Sequence, residues 1–187
     1  MGRPKNYDRD EVIGLAMETF WLHGYAATSM SDLTEATGLN KKSIYNEFGS
    51  KEDLFNIALD HYNQRRMPLL SLLQQEPLGI QNIKDFLVKL AKDTDPKGCL
   101  LALSINERDL LEEKAYKQVR EDFQGLQKLI AMNLQNSELD KKTDPKALAL
   151  LISSQMFSVA AMGKLKIAKT QIVDAIQLLI EQLDSKS

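Results

Sequence analysis

The stretch that decides the reading is SMSDLTEATGLNKKSIYNEFGSKEDLF, from Ser29 to Phe55. It spells two very short helices on either side of a glycine, then the start of a longer one. Ser29, with Asp32 three positions on, is a capping signature for a helix over about Met30–Thr37. Gly38 breaks it. Asn40 can cap a second helix over about Lys41–Glu47, and Phe48-Gly49 ends that one. Ser50 with Asp53 opens the third. Helices of two turns do not stand alone in water, because nucleation costs more than two turns return. They must be packed, and Leu33, Ala36, Leu39, Ile44 and Phe48 are the residues to do it. Helix, glycine turn and helix in this order make a helix-turn-helix, whose second helix enters the DNA major groove.

Working outward, a first helix runs from about Asp8 to His23, with Ile13, Ala16, Met17 and Phe20 as one apolar stripe. Gly24 should end it in the left-handed conformation. The helix opened by Ser50 continues to about Gln74. Further helices are expected near Ile80–Lys92, Gly98–Arg108, Glu112–Gln135, Pro145–Lys164 and Gln171–Leu183. Pro145 behind Asp144 suits a first helical position. No segment alternates with period two, so no strands are expected. The fold class is therefore all-α. A three-helix helix-turn-helix domain (residues 1–50) is followed by a larger helical ligand-binding and dimerisation domain (residues 51–187).

Composition narrows the functions. The 187 residues are 43% hydrophobic and 27% charged, which suits one large or two small globular domains. There is no unbroken run of about 18 apolar residues, so no membrane span is expected. The basic N-terminus has no apolar core behind it and is not a secretory signal. One cysteine and two histidines leave neither a disulfide framework nor a zinc site. No metal or cofactor is expected, and no catalytic constellation occurs, so the chain reads as a cytoplasmic protein that is not an enzyme. A net charge of −2 argues against coating nucleic acid indiscriminately, and leaves room for a local basic patch.

That patch is on the short helices. Lys41, Lys42 and Ser43 lie at the N-terminal end of the second one, where side chains reach base edges and the helix dipole is positive. Lysine can donate to guanine, and Asn46 can bond adenine in a bidentate manner. Tyr45 can place its hydroxyl on a phosphate. Thr28 and Ser29 would bring free backbone N–H groups to the opposite phosphate wall, and Lys51 can ion-pair with a phosphate. Arg3 and Lys5 lie in an N-terminal arm that can enter the minor groove. Taken singly, adjacent lysines are usually a solvated face, Tyr45 a packing residue and a serine cap structural. Their common spacing carries the argument.

The stretch from Ile13 to Phe55 resembles the N-terminal DNA-binding domain of the TetR family of transcriptional regulators. Ile13, Ala16 and Phe20 match the family's first-helix stripe, and Gly24-Tyr25 its turn. Thr28-Ser29-Met30 matches the entry to its second helix, and Gly38-Leu39 the tight turn. Ile44-Tyr45 and Phe48 match the recognition helix, and Lys51-Glu52-Asp53-Leu54 the start of helix four. The match covers about a quarter of the chain. Thr34 stands where the family usually has alanine. Glu47 is acidic near the far end of the recognition helix, so it is expected to lie away from the phosphate backbone. The resemblance implies repression of transcription by a homodimer bound to a palindromic operator on double-stranded DNA, relieved by a small molecule.

In the body, Leu148, Leu151, Ile152, Gln155, Val159 and Met162 on the penultimate helix, and Ile172, Ile176, Leu179, Ile180 and Leu183 on the last, recur at helical spacing. Small residues lie between the former: Ala147, Ser154, Ser158 and Ala161. Two such helices from each chain can form a four-helix bundle between subunits, or the stripes can face the chain's own core. A ligand cavity would be apolar with a few polar groups. Candidates are His61, Tyr62, Phe86, Leu90, Cys99, Leu103, Phe123, Met156 and Phe157. The inducer is not named by the sequence. The alternative is an all-helical small-molecule-binding protein whose head makes protein contacts rather than DNA contacts.

Overall fold

A computed structural model describes residues 7–138 and 143–184, so Arg3 and Lys5 lie outside the described residues. Nine α-helices are described, and no strand among the described residues. They are α1 (Arg9–His23), α2 (Met30–Thr37), α3 (Lys41–Phe48), α4 (Lys51–Leu70), α5 (Ile80–Lys92), α6 (Leu100–Asn106), α7 (Glu113–Gln135), α8 (Pro145–Lys164) and α9 (Lys169–Asp184).

The head forms as its caps dictate. The Asp8 carboxylate accepts from the backbone N–H groups of Asp10 and Glu11 and opens α1. Ser29 and Asp32 make a reciprocal capping box, as do Ser50 and Asp53, and Asn40 accepts from Ser43 N–H at 2.9 Å. The α1 stripe, Ile13, Ala16, Met17 and Phe20, is fully inside. Leu33, Ile44 and Phe48 of the short helices are buried too. Phe20 meets Phe55 of α4 edge to face, centroids 5.0 Å apart, and Tyr25 packs on the same Phe55 ring at 4.9 Å. Gly38 takes φ 68°, ψ 3°, the left-handed turn that joins α2 to α3. Gly24 ends α1 at φ 84°, ψ 168°, which is not the left-handed helical region expected but an extended one open essentially to glycine alone.

Helix α4 ends earlier than its periodicity suggests. Pro68 lies inside it and cannot donate a backbone hydrogen bond, and the chain tightens into a 3-10 turn over Ser71–Gln74. Helix α6 is shorter than expected for the same kind of reason: the chain turns into a second 3-10 segment at Arg108–Leu110. In the body, α7 packs along α8, and α5 along α9. Buried Asn133 donates to the carbonyls of Leu73 and Leu129 and accepts from Gly79 N–H and Asn82 Nδ2, tying the loop before α5 to α7.

One expectation is corrected here. The α9 stripe Ile172, Ile176 and Ile180 points into the chain's own core, at 1%, 4% and 5% exposure, not outward to a partner. Ile152 and Val159 of α8 are buried likewise. Of the expected α8 residues Leu151 does face outward, more than half exposed, joined by Leu150 on α8 and Leu178 on α9. Leu148, Gln155, Met162, Leu179 and Leu183 are half-buried at the edges. Periodicity identifies an apolar face but not its neighbour. By length and composition alone α8 would pass for a membrane span, as a packed core helix also can, although no unbroken apolar run exists.

Ile176→Asp buries an unpaired carboxylate in this core. It is expected to destabilise the chain by about 3 kcal/mol or more in urea denaturation. A stably folded Ile176→Asp chain would place the side chain outside.

Candidate nucleic-acid interface and cavity

Helix α3 buries Ile44 and Phe48 and leaves Lys41, Lys42, Tyr45 and Asn46 exposed, with Ser43 half-buried at its N-terminal end. Lys41 Nζ lies 5.9 Å from the Tyr45 ring centroid. At the head of α4, Lys51 is half-buried with Nζ 4.3 Å from the Tyr25 ring centroid. Burial lowers its pKa, and Glu107 and Asp32 push the other way. These cations and hydrogen-bonding groups lie on the exposed side of α3 and at the start of α4. Such a surface can pair with phosphates and read base edges.

Two of the expected contacts change. Thr28 is 1% exposed, and its hydroxyl donates to the Gly24 carbonyl at 2.6 Å, so it supports the turn rather than a phosphate wall. Ser29 is exposed, but its backbone N–H already donates to Asp32 Oδ2 at 2.7 Å. That bond holds the Asp32 carboxyl below the usual carboxylate range. The capping box itself takes the donor.

Glu47 is accounted for. Its carboxylate accepts from the Tyr7 hydroxyl at 3.0 Å and from Arg9 Nε at 3.2 Å, and Arg9 also lies over the Phe48 ring. The acid is thus neutralised by the segment leading into α1 and turned from the exposed row. Other acids of the head are similarly committed. Glu18 is paired with Arg65 at 2.6 Å and with Lys97, and Asp32 with its cap.

The body grips the head through one residue that the sequence does not advertise. Glu107, just past α6, accepts backbone hydrogen bonds from Tyr25 (2.8 Å) and Ala26 (3.0 Å). A Cβ on Gly24 would lie 2.7 Å from its carboxylate oxygen, so a side chain there would displace Glu107 from these bonds. Trp21 adds a second tie, donating from Nε1 to the Gly98 carbonyl at 3.1 Å. Partners 77 to 82 residues apart leave no local signal.

Near this junction Glu52 is 93% buried, and its Oε1 has no hydrogen-bond partner. Burial and the neighbouring Glu112 raise its pKa to about 7.

Three neighbouring cavities lie below. The first, about 430 Å³, is lined by Tyr62, Leu90, Cys99 and Met156 of the expected set, joined by Trp21 and Arg66. The second, about 160 Å³, takes Phe123, Met156 and Phe157. The third, about 420 Å³, takes Cys99, Leu103 and Phe157. Phe86 is instead fully buried core. His61 sits half-buried beside Gly14 and lines none of the three. Sequence reasoning missed Trp21 and the polar lining of the first cavity, Arg65, Arg66, Lys89, Asp93 and Asp95 among it.

Comparisons with known proteins agree with this geometry. A family model described as "Bacterial regulatory proteins, tetR family" matches residues 12–57. The HTH-type transcriptional repressor ComR of Escherichia coli is 41% identical over 107 residues, 54% of this chain and 50% of that protein. The chain thus spans only half the length of that curated relative. The uncharacterised regulator YezE of Bacillus subtilis is 27% identical over 98% of this chain and all of its own length. Among solved structures, a TetR regulator from Chloroflexus aurantiacus superposes with a TM-score of 0.83 at 26% identity, covering 95% of this chain and 94% of that one. A cysteine mutant of the regulator CifR, complexed with 26-bp double-strand operator DNA, gives 0.83 at 24% identity, covering 96% and 98%.

Two outcomes are expected from this geometry. Glu47→Gln should cost about 1 kcal/mol, and Arg9→Ala should cost less in that background than in the parent, as read by a double-mutant cycle in urea. Glu52 titrates higher folded than unfolded. Its stabilising contribution is therefore complete below about pH 4.5 and lost as pH rises through about 7. Glu52→Gln should flatten stability over that window and raise it at pH 8, as followed by urea midpoints.

Proposed function

Given that this chain belongs to the TetR family of bacterial regulatory proteins, we propose that it represses transcription from the cytoplasm as a homodimer. It binds a palindromic operator and is released by a small-molecule ligand in the body. The observation that carries the reading is the exposed row on α3. Lys41, Lys42, Tyr45 and Asn46 face solvent from a helix whose other side is locked into the core. The operator DNA in the CifR complex and the repressor ComR support it. Members of the family regulate transcription and are not enzymes.

A single head reaches few phosphates, so affinity requires two. The outward stripe of α8 has Leu150 and Leu151 flanked by Ala147, Ser154, Ser158 and Ala161, and α9 exposes Leu178. Small residues between exposed leucines suit close helix approach, and this face is the one we assign to the partner subunit. It also gives the apolar character of α8 a purpose without a membrane. Two heads on a two-fold axis read half-sites about one helical turn, roughly 34–36 Å, apart.

Release follows from the junction. The segment that lines the cavity at Gly98 and Cys99 continues through α6 to Glu107, which holds the head by Tyr25 and Ala26. A ligand that favours a different α6 position shifts the population of head spacings and weakens DNA binding. DNA weakens the ligand by the same factor.

The test is a gel shift against operator fragments selected from a random library, titrated with salt. The expected complex holds two chains. Lys42→Ala should reduce the slope of log K against log salt by about 0.9 per chain, with Tyr45→Ala and Lys51→Ala also weakening binding. Asn46→Ala should relax preference at one base pair in each half-site, by about 1–3 kcal/mol. Unchanged affinity and slope in all four folded variants would overturn the reading.

A further inference from the structure

Arg66 stands where two cavities meet. It lines both the 430 Å³ and the 160 Å³ spaces, as Met156 does. Its guanidinium lies 5.6 Å from the Tyr62 ring centroid, and Nη2 donates to Met156 Sδ at 3.4 Å. A thioether is a weak acceptor, and a guanidinium has five donors. Among the described residues, Arg66 makes no ion pair.

The other charges around the larger cavity are satisfied. Arg65 and Lys97 both pair with Glu18. Lys89 pairs with Asp93 at 2.7 Å, and Asp95 has Lys97 at 3.8 Å. On the smaller cavity, Asp122 accepts from Asn63 Nδ2 at 2.6 Å. Burial, the larger effect, raises the pKa of Asp122, while the charge of Arg66 pulls it down; the two groups make no ion pair.

The aromatic walls decide the sign of the guest. A cation would seek the faces of Trp21 and Tyr62. Those rings already carry cations: Lys97 at 4.0 Å and Arg65 at 5.6 Å from Trp21, and Arg66 from Tyr62. An anion finds the reverse, a guanidinium with free donors at the end of an apolar chamber walled by Leu69, Leu90 and Val159.

We propose that this cavity takes a small organic monoanion, a carboxylate or sulfonate on an aromatic or aliphatic body, with its charged group on Arg66 and its body against Leu90, Val159 and Trp21. The proposal rests on reading the chain as a ligand-responsive regulator and names the chemical class of that ligand.

The probes are anilinonaphthalene sulfonate and N-phenylnaphthylamine, which share ring systems and differ in the charged group. Both are titrated into the full-length protein without DNA. Trp21, the chain's one tryptophan, lines the cavity and reports occupancy by energy transfer to the probe. The sulfonate should bind saturably, at least tenfold tighter than the neutral amine, and quench Trp21. Arg66→Met should weaken the sulfonate at least tenfold while leaving the amine within about twofold. Arg66→Lys keeps the charge but loses the planar fork, and should fall between. Circular dichroism checks that each variant is folded, and Arg66→Lys decides the matter should Arg66→Met unfold. Equal affinity for the two probes, or sulfonate binding indifferent to Arg66, overturns the proposal. The gel shift of the unliganded protein is run in parallel. Intact DNA binding with Arg66-independent probe binding sinks the ligand class alone. Arg66-dependent sulfonate binding without DNA binding upholds the ligand class and sinks the regulator reading.

Discussion

The packing of α1 on α4 is what the rest of the molecule depends on. Phe20 and Phe55 meet edge to face at 5.0 Å, both without solvent exposure. Burying a side chain of that size contributes about 1.5–3 kcal/mol, and the ring contact itself adds about 0.5–1.5 kcal/mol. The two-turn helices α2 and α3 bring only Leu33, Thr37, Ile44 and Phe48 to the interior. They hold their shape because a preformed platform receives those few residues. The platform also fixes direction. With Ile44 and Phe48 inside, the pitch of an α-helix turns Lys42 and Asn46 to the opposite side and Tyr45 to the flank, while Lys41, on the Ile44 stripe, is exposed at the helix start. The exposed row is a consequence of the core, not an independent feature.

The same helix faces the other way at its far end. Phe20 belongs to the head's core, while its neighbour Trp21 lines the 430 Å³ cavity and donates to Gly98. Adjacent positions on α1 therefore touch the recognition unit and the chamber below it. Glu107 completes the arrangement by accepting from the turn that follows α1. Charge-assisted bonds of this kind are roughly twice as strong as neutral ones. The head is thus tied to the body by Glu107 and Trp21.

Most of this was legible because helix ends are local. Ser29 with Asp32, Asn40, Ser50 with Asp53, and Asp144 before Pro145 each announce a cap within four residues, and the caps form as read. What failed was non-local. The α9 stripe was evident, but whether Ile176 faced α5 or a second subunit depended on packing between elements almost a hundred residues apart. Thr28 read as a phosphate contact because its position near a cap is visible and its bond to Gly24 is not. Glu18 and Arg65, Glu47 and Arg9, and Glu107 and Tyr25 are separated by 38 to 82 residues. No charge count along the chain separates these paired groups from Arg66.

That distinction bears on how a modest ligand could act. An effector shifts an equilibrium only by its difference in affinity for the two states. A tenfold loss of DNA affinity needs about 1.4 kcal/mol, comparable with one charge-assisted hydrogen bond. The junction holds bonds of that size at Glu107 and Trp21, beside the apolar packing of α1 on α4. On the proposed reading, an anion need not tear the head from the body. Drawing Arg66 toward itself would disturb the stack of Arg66 on Tyr62. Tyr62 in turn packs edge to face on Trp21, with centroids 5.0 Å apart. The route from the charge to the head is then two ring contacts long and ends on the helix whose packing sets the recognition surface.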